Sequence, residues 1–512
     1  MSENKAKKTW SQKEPRKTRA AEIANTFEWL ITAFILAFVF REFVIQAFRI
    51  PTGSMADTLK GAHFRLRCQQ CGYKYDYGFD SRRLNLPQDN IPAGNITAPI
   101  SRCPSCGHYD SGGRALPVSN GDRILVLKCL YQFFEPKQWD VVVFKNPLDP
   151  PINYIKRLVG RPGESVEIID GDVYINGQIS RKPAKVQNEL WMPIYDNDYQ
   201  PVRPTERTFK RNKRWEQPFK NVAESEWKLD AANPTIFWLD SPADEIHWLA
   251  YDSTIGNELK ATYAYDNVKG YDYMPYCSDL MVRIYCVLRS LQGRMGMSLS
   301  KYETVYRAWV DFTGGMVIET VRDGGTIELA TKSIGQPALN KPTLVKFANV
   351  DHQLIFQFGS EKLTYDLGRG PNDASERKIS VPPQVKILGS GKLTLSHVAI
   401  FRDIHYIAER SGNHSETGRA TEGKPFTLGK DEFFVLGDNS PNSEDSRWWI
   451  RRGKGNNGVS YREGIVPRDY LVGKALFVYW PGGFRPFARS RFAIIPNVGQ
   501  MRFIHGGSSK KQ

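Results

Sequence analysis

The stretch Asn153-Tyr154-Ile155-Lys156-Arg157-Leu158-Val159-Gly160-Arg161-Pro162-Gly163-Glu164 reads as a strand that ends in a Pro-Gly turn. Lys156 stands inside it, between apolar neighbours. Desolvation disfavours the charged amine, so a lysine set in this way loses its proton more readily than a surface one. A neutral lysine can take the proton of a serine hydroxyl and make it a nucleophile. The bland alternative is an exposed Lys-Arg pair on a strand.

Two other stretches supply partners. Phe48-Arg49-Ile50-Pro51-Thr52-Gly53-Ser54-Met55-Ala56-Asp57-Thr58-Leu59 holds a small-residue turn that exposes a serine. Gly437-Asp438-Asn439-Ser440-Pro441-Asn442-Ser443-Glu444-Asp445-Ser446-Arg447 is dense in short polar side chains. Such residues lock a loop through side-chain hydrogen bonds and an Asp–Arg pair. Each alone is a weak signal, since most such serines and turns only shape a loop.

Working outward, residues 121–179 alternate short apolar runs with turns, including Asp170-Gly171 and Asn176-Gly177. A longer β-pattern runs from about 236 to 408, with Leu354, Phe356 and Phe358 alternating before Gly359-Ser360 and Leu363, Tyr365 and Leu367 after it. This pattern suggests a two-sheet sandwich. Residues 181–235, polar and rich in Trp and Pro, read as a loop-rich linker.

Toward the N-terminus, Trp29 to Phe40 is apolar except for Thr32 and follows a lysine- and arginine-rich lead. Extended through Arg41-Glu42 to Phe48, the run reaches twenty residues, about 30 Å as a helix and enough for one membrane span. The basic lead places the N-terminus in the cytoplasm and the rest outside. A cleaved signal peptide and a buried core helix are the rival readings.

Cys68-Gln-Gln-Cys71 and Cys103-Pro-Ser-Cys106 form two C-x-x-C pairs, each followed by Gly. Four thiolates at this spacing suit a structural zinc ion in a ribbon-like module. An outside location equally permits two disulfides. Cys129, Cys277 and Cys286 are left over.

The chain has 512 residues, which suggests two to four domains. Apolar residues make up 41%, which excludes a wholly disordered chain. Seven cysteines are too few for a disulfide scaffold of this size. The net charge of +15 fits attraction to an anionic membrane surface. None of the eight histidines sits in a motif for histidine-based catalysis.

Together the motifs resemble the type I signal peptidase (leader peptidase) family, in an expanded bacterial form. Its Ile-Pro-(Ser/Thr)-Gly-Ser-Met pattern falls on residues 50–55, and its Gly-Asp strand on Gly121-Asp122-Arg123-Ile124-Leu125-Val126. Its Lys-Arg-x-x-Gly-x-Pro-Gly pattern falls on residues 156–163, and its Gly-Asp-Asn-x-x-x-Ser-x-Asp-Ser-Arg pattern on residues 437–447. The ending Val472-Gly473-Lys474-Ala475 with Tyr479-Trp480-Pro481 also fits. The chain departs from the pattern at Asp57, where Pro is usual, and at Trp139, where Gly is common.

The resemblance implies a mainly β protein with a signal-peptidase-type catalytic domain and one N-terminal transmembrane helix. It implies a membrane-bound serine endopeptidase that removes signal peptides from exported preproteins, cleaving after small residues at −1 and −3. Ser54 would be the nucleophile and Lys156 the general base, with no cofactor in catalysis. Thr52 would donate to the oxyanion hole, Ser443 would hold the Lys156 amine, and Asp445 would pair with Arg447 and also with Arg157. Ile50, Pro51, Met55 and Ile155 would line the substrate pockets. Cys68, Cys71, Cys103 and Cys106 are the expected metal ligands.

The expected order begins with a basic cytoplasmic tail (1–25), a transmembrane helix (26–48) and a first catalytic segment with the nucleophile (49–61). A zinc-ribbon-like insertion (62–112) and a second catalytic segment with the general base (113–180) come next. The linker (181–235), a β-sandwich insertion (236–410), a third catalytic segment (411–500) and a tail (501–512) follow. The sandwich resembles laminin-G/concanavalin-like jelly rolls, which implies a glycan or protein partner. The expected location is the bacterial cytoplasmic membrane, with lipid and secretory preproteins as partners and no nucleic acid. Three other classes stand against this reading: a self-cleaving Ser–Lys repressor, a non-catalytic envelope binding protein, and a nucleic-acid binder through the zinc ribbon, which the expected outside location of that module argues against. The apolar span and the absence of a helix-turn-helix pattern argue against the first. Intact Ser54, Lys156 and Ser443 argue against the second.

Overall fold

The computed structural model describes residues 19–86, 91–92, 94–230, 232–322, 324–368, 381–410, 416–455, 459–483 and 496–507. Residues 1–18 of the expected cytoplasmic tail, 411–415, 456–458 and 484–495 of the third catalytic segment, and 508–512 of the expected C-terminal tail lie outside them.

An α-helix spans Arg19–Val39 and continues as a π-helical turn, Phe40–Val44. The stretch Glu22–Val44 is long and apolar enough to cross a membrane. Its large apolar side chains, Trp29, Phe34, Leu36 and Phe38 among them, are exposed. The helix stops short of the expected Phe48. Ile45–Arg49 is a strand, with Ile45 opposite Leu127. From residue 45 onward the backbone groups therefore pair with a sheet instead of with the helix.

That strand is one edge of an eight-stranded sheet. The order is Ile45–Arg49, Arg123–Leu127, Leu471–Trp480, Val141–Asn146, Asp149–Gly160, Glu432–Leu436 and Val466–Pro467. Segments far apart in sequence thus become neighbours, and Lys156 lies opposite Val142 while Arg157 lies opposite Leu436. A core of Ile50, Met55, Leu59, Val126, Val143 and Ile155 packs the loop that carries Ser54 onto this sheet. A smaller sheet, Ser165–Ile169 with Asp172–Ile175, Gln178–Ile179 and Phe426–Thr427, flanks it.

Two further sheets enclose one large core that includes Phe237, Val282, Met297, Phe347 and Ile387. Gln353–Phe358 and Glu361–Asp366 pair across Gly359-Ser360. The expected linker, residues 181–235, belongs to these sheets in part. Met192–Asp196 pairs with Lys392–Arg402, and Phe219–Asn221 pairs with His247–Tyr251. These strands are short, with Pro193 inside the first and Pro218 just before the second, so the composition mimics a loop.

The four-cysteine segment folds around His63–Arg67, Lys74–Gly78, Asn95–Thr97 and Ala115–Ser119. Its sheet runs past the expected boundary at 112, because Phe64 pairs with Val118. The expected C-terminal tail is also partly structured. Arg502–Phe503 pairs with the Leu471–Trp480 strand, and Ile504 enters the catalytic core.

Candidate active site

Ser54 sits in the turn that leaves Ile50, and Lys156 projects from its strand to meet it. The Lys156 Nζ donates to Ser54 Oγ at 2.7 Å and to its neighbour Ile155 O at 3.1 Å. Lys156 is 4% exposed. Burial lowers its pKa to about 8, against partial opposition from Asp445 and Asp438. The amine is thereby poised to exchange a proton near neutral pH.

Those two carboxylates are already held by arginines. Arg157 Nε and Nη2 donate to Asp438 at 2.8 and 2.7 Å. Arg447 Nε and Nη2 donate to Asp445 at 2.8 and 2.7 Å. All four side chains are buried, and both pairs are bidentate. Asp445 pairs with Arg447 as expected, but the partner of Arg157 is Asp438. The strand register accounts for this, since Arg157 lies opposite Leu436, next to the loop that carries Asp438.

The loop at 437–447 is fastened to the nucleophile turn. Asn439 N donates to Ser54 O at 3.0 Å, and Asp438 N to Met55 Sδ at 3.4 Å. Gly437 N donates to Asp445 Oδ2 at 3.0 Å. A Cβ on Gly437 would lie 2.5 Å from Ser54 O and 2.2 Å from Ser443 Oγ, so only glycine fits. Ser443 Oγ is buried beside Asp445 and makes no hydrogen bond to Lys156, contrary to expectation. The Lys156 donors instead reach Ser54 and the main chain.

Thr52, the expected oxyanion donor, and Pro51, an expected pocket residue, are half-buried beside the turn. Ile50 and Met55 are 3% and 0% exposed. They are core side chains beneath the site, because the turn that carries Ser54 packs onto the sheet. Ile155, at 9%, lies in the same cluster. Trp139, where glycine is common in the resembling family, has φ +69°, a left-handed backbone that glycine adopts without strain. Lys182 stacks its amine 5.4 Å from the Trp139 ring centroid.

A strap from the two-sheet insert also reaches the site. Tyr263 OH donates to Asp438 O at 2.9 Å, and Tyr265 OH to Ala62 O at 3.0 Å. The Tyr265 ring fills the space beside Gly53, where a Cβ would fall 2.1 Å from its Cε1. Asp266 Oδ1 accepts from Asn439 Nδ2 at 2.8 Å. Burial raises the Asp266 pKa to about 7, although both asparagine amides favour the carboxylate. Sequence reading passes over these residues. Their only signal is the alternation Tyr263-Ala264-Tyr265-Asp266, which says nothing of a partner far away in the chain.

The four cysteine sulfurs lie within 4.8 Å of one another, with Cys68–Cys106 and Cys71–Cys103 both at 3.6 Å. All seven cysteines are unbridged. A tetrahedral ion with bonds of about 2.3 Å separates its sulfurs by about 3.8 Å, so the cluster fits a metal. Two matching turns build it, in which Gly72 N donates to Cys68 O at 2.9 Å and Gly107 N to Cys103 O at 3.1 Å. Gly72 and Gly107 both have φ +76°, which lets the chain turn back under the sulfurs. Nearby, His108 Nδ1 faces Thr208 Oγ1 at 3.1 Å.

The family model described as "Signal peptidase, peptidase S26" matches residues 109–220 and 382–480. The stretch with Ser54 lies outside that match. Signal peptidase I of Rickettsia canadensis (strain McKiel) is 28% identical over 151 residues, covering 29% of this chain and 42% of that protein. Signal peptidase I of Rickettsia akari (strain Hartford) is 29% identical over the same shares. The chain therefore spans about two fifths of the length of these curated relatives. Among solved structures, the carbohydrate binding module CBM66 from Bacillus subtilis is 10% identical, covering 36% of this chain and 93% of that one, with a TM-score of 0.21. That likeness is too slight to bear on this chain. In the segments that match, the chain is related to the signal peptidases of peptidase family S26, a family of hydrolases.

Proposed function

We propose that this protein is a membrane-anchored serine endopeptidase that removes N-terminal signal peptides from exported preproteins. The observation that carries the reading is the 2.7 Å contact between Ser54 Oγ and a buried Lys156 amine whose pKa falls to about 8. In its neutral form Nζ accepts the Ser54 proton as Oγ attacks the scissile carbonyl. Lys156 then passes that proton to the leaving amine, the C–N bond breaks, and an acyl-enzyme remains. Water, deprotonated by the same amine, releases the signal peptide and restores Ser54. The Ser54 N–H and the Thr52 hydroxyl stabilise the developing oxyanion, and each such donor contributes about 3 kcal/mol. Asp445–Arg447 and Asp438–Arg157 hold the loops in register.

The preprotein docks as an added strand with small side chains at −1 and −3 beside Pro51 and Ile155, above the core side chains Ile50 and Met55. The N-terminal helix anchors the enzyme in the bacterial cytoplasmic membrane, with the basic lead inside and the catalytic domain outside. Cys68, Cys71, Cys103 and Cys106 hold a structural zinc ion, and the two-sheet insert offers a jelly-roll surface to a glycan or protein.

The test is cleavage of a preprotein with an Ala-x-Ala site by the full-length protein in detergent, beside Ser54→Ala and Lys156→Ala. Cleavage after the −1 alanine, abolished in both variants, is the expected outcome. Well-folded protein that cleaves no preprotein would overturn the reading. Metal analysis of the purified protein tests the zinc, with one equivalent expected and Cys103→Ser losing it.

A further inference from the structure

A second cavity, of 580 Å³, opens where the nucleophile loop, the four-cysteine module and the two-sheet insert meet. Neither Ser54 nor Lys156 lines it. Asp57 and Lys60 enter its wall from the loop just beyond Ser54, Arg102 from the four-cysteine module, and Tyr271 and Arg402 from the insert. Six cationic side chains line it against three acidic ones.

Most of these charges are engaged. Lys60 pairs with Asp76. Arg402 donates to the carbonyls of Asp403, at 2.9 Å, and Thr262. Glu258, the acid that senses Arg102, is paired with Lys210 at 2.7 Å. Arg102 is different. It is 6% exposed, and its Nε and Nη2 have no hydrogen-bond partner among the described residues. Its guanidinium carbon lies 5.4 Å from the centroid of the Tyr109 ring. Two buried guanidinium donors without acceptors are costly to the fold, and a ligand is one way to offset that cost. Its planar fork matches the paired oxygens of a carboxylate or phosphate. The volume suits a small molecule or a side chain of a bound polypeptide.

We propose that this cavity binds an oxyanion, a carboxylate or phosphate group seated on Arg102. Lys60, on the loop just beyond Ser54, lines the same cavity. The inference does not depend on the protease reading, because binding is measured directly.

The experiment follows thermal unfolding of the full-length protein in Tris chloride, titrated in one arm with inorganic phosphate and in the other with a blocked aspartyl tripeptide. A saturable rise in Tm with either probe is expected. Arg102→Gln should weaken that binding at least about tenfold, since it removes charge-assisted bonds. Without either probe it should unfold no earlier than the wild type, because it removes an unpaired buried charge. A response to phosphate alone identifies a free anion, and a response to the tripeptide alone identifies an acidic residue of a polypeptide. If Arg102→Gln does not fold, Arg102→Lys keeps the charge without the fork and should also bind more weakly. No Tm response to either probe would overturn the proposal, as would a variant that responds like the wild type.

Discussion

Three lysines in this protein are buried to similar depth, and their environments do opposite things to them. Lys156, Lys182 and Lys301 are 4%, 8% and 4% exposed. Burial works to lower the pKa of all three. At Lys156 it prevails. At Lys182 it is outweighed by Asp351 and Asp403, and at Lys301 by Asp279 and Asp172, so both are raised well above the ordinary lysine value. Lys182 contacts Asp351 directly and Asp403 at 2.8 Å, and Lys301 meets Asp279 at 2.5 Å. The carboxylates nearest Lys156 are claimed by Arg157 and Arg447 instead. Burial alone does not lower a lysine pKa. The lowering survives at Lys156, where the neighbouring acids are already neutralised by arginines, which do not lose their protons.

The comparison can be broken most directly at its reactive end. Lys156→Ala and Ser54→Ala should each lower preprotein cleavage by at least about a thousand-fold while the protein stays folded, as expected where nucleophile and base act as one unit. A Lys156→Ala enzyme with near-normal turnover would end the contrast. At the structural end, Lys301→Met and Lys182→Met should each cost about 3–5 kcal/mol in urea unfolding, because each strands buried carboxylates. Neutral behaviour of both would show that the acid cluster needs no counter-charge.

The contrast also sets a pH dependence. The base must be neutral, so kcat/KM should fall about tenfold per pH unit below an inflection near 8. Stability carries the matching sign. The Lys156 pKa drops from 10.5 to about 8 on folding, so the unfolded chain binds more protons between these values. Stability from this group therefore rises as pH increases from about 8 to 10.5, and Lys156→Met should remove that slope in Tm–pH curves. The smallest expected effect is in the strap. Tyr263→Phe removes one donor to Asp438 O and should cost about 1 kcal/mol, with a few-fold loss in kcat and little change in KM. A change in KM alone would mean that the strap touches substrate rather than positioning the loop.

The candidate site was legible because its chemistry is written in short local patterns. Ile50 to Met55, Lys156 in its apolar strand and Gly437 to Arg447 each carry their role within a dozen residues. The two C-x-x-C pairs were legible for the same reason. The structured segments of residues 181–235 and 501–507 were not, since strands of two to five residues leave too short an alternation to read. The apolar helix was seen but its end was misplaced, because Ile45–Arg49 is as apolar as a helix end and only its partner strand shows it to be sheet.

From sequence alone came the apolar run long enough for a membrane, the β character of the chain and the four thiols that cluster. Tertiary structure decided which charges meet. Arg157 chose Asp438 over Asp445, Ser443 turned to the Asp445 side, and an insert supplied Tyr263, Tyr265 and Asp266 to a site with which it shares no motif. The physical reason is range. Hydrophobic periodicity and desolvation by flanking residues act along a few residues of chain, whereas an ion pair forms between whichever groups packing brings within about 3 Å, however far apart they lie in sequence.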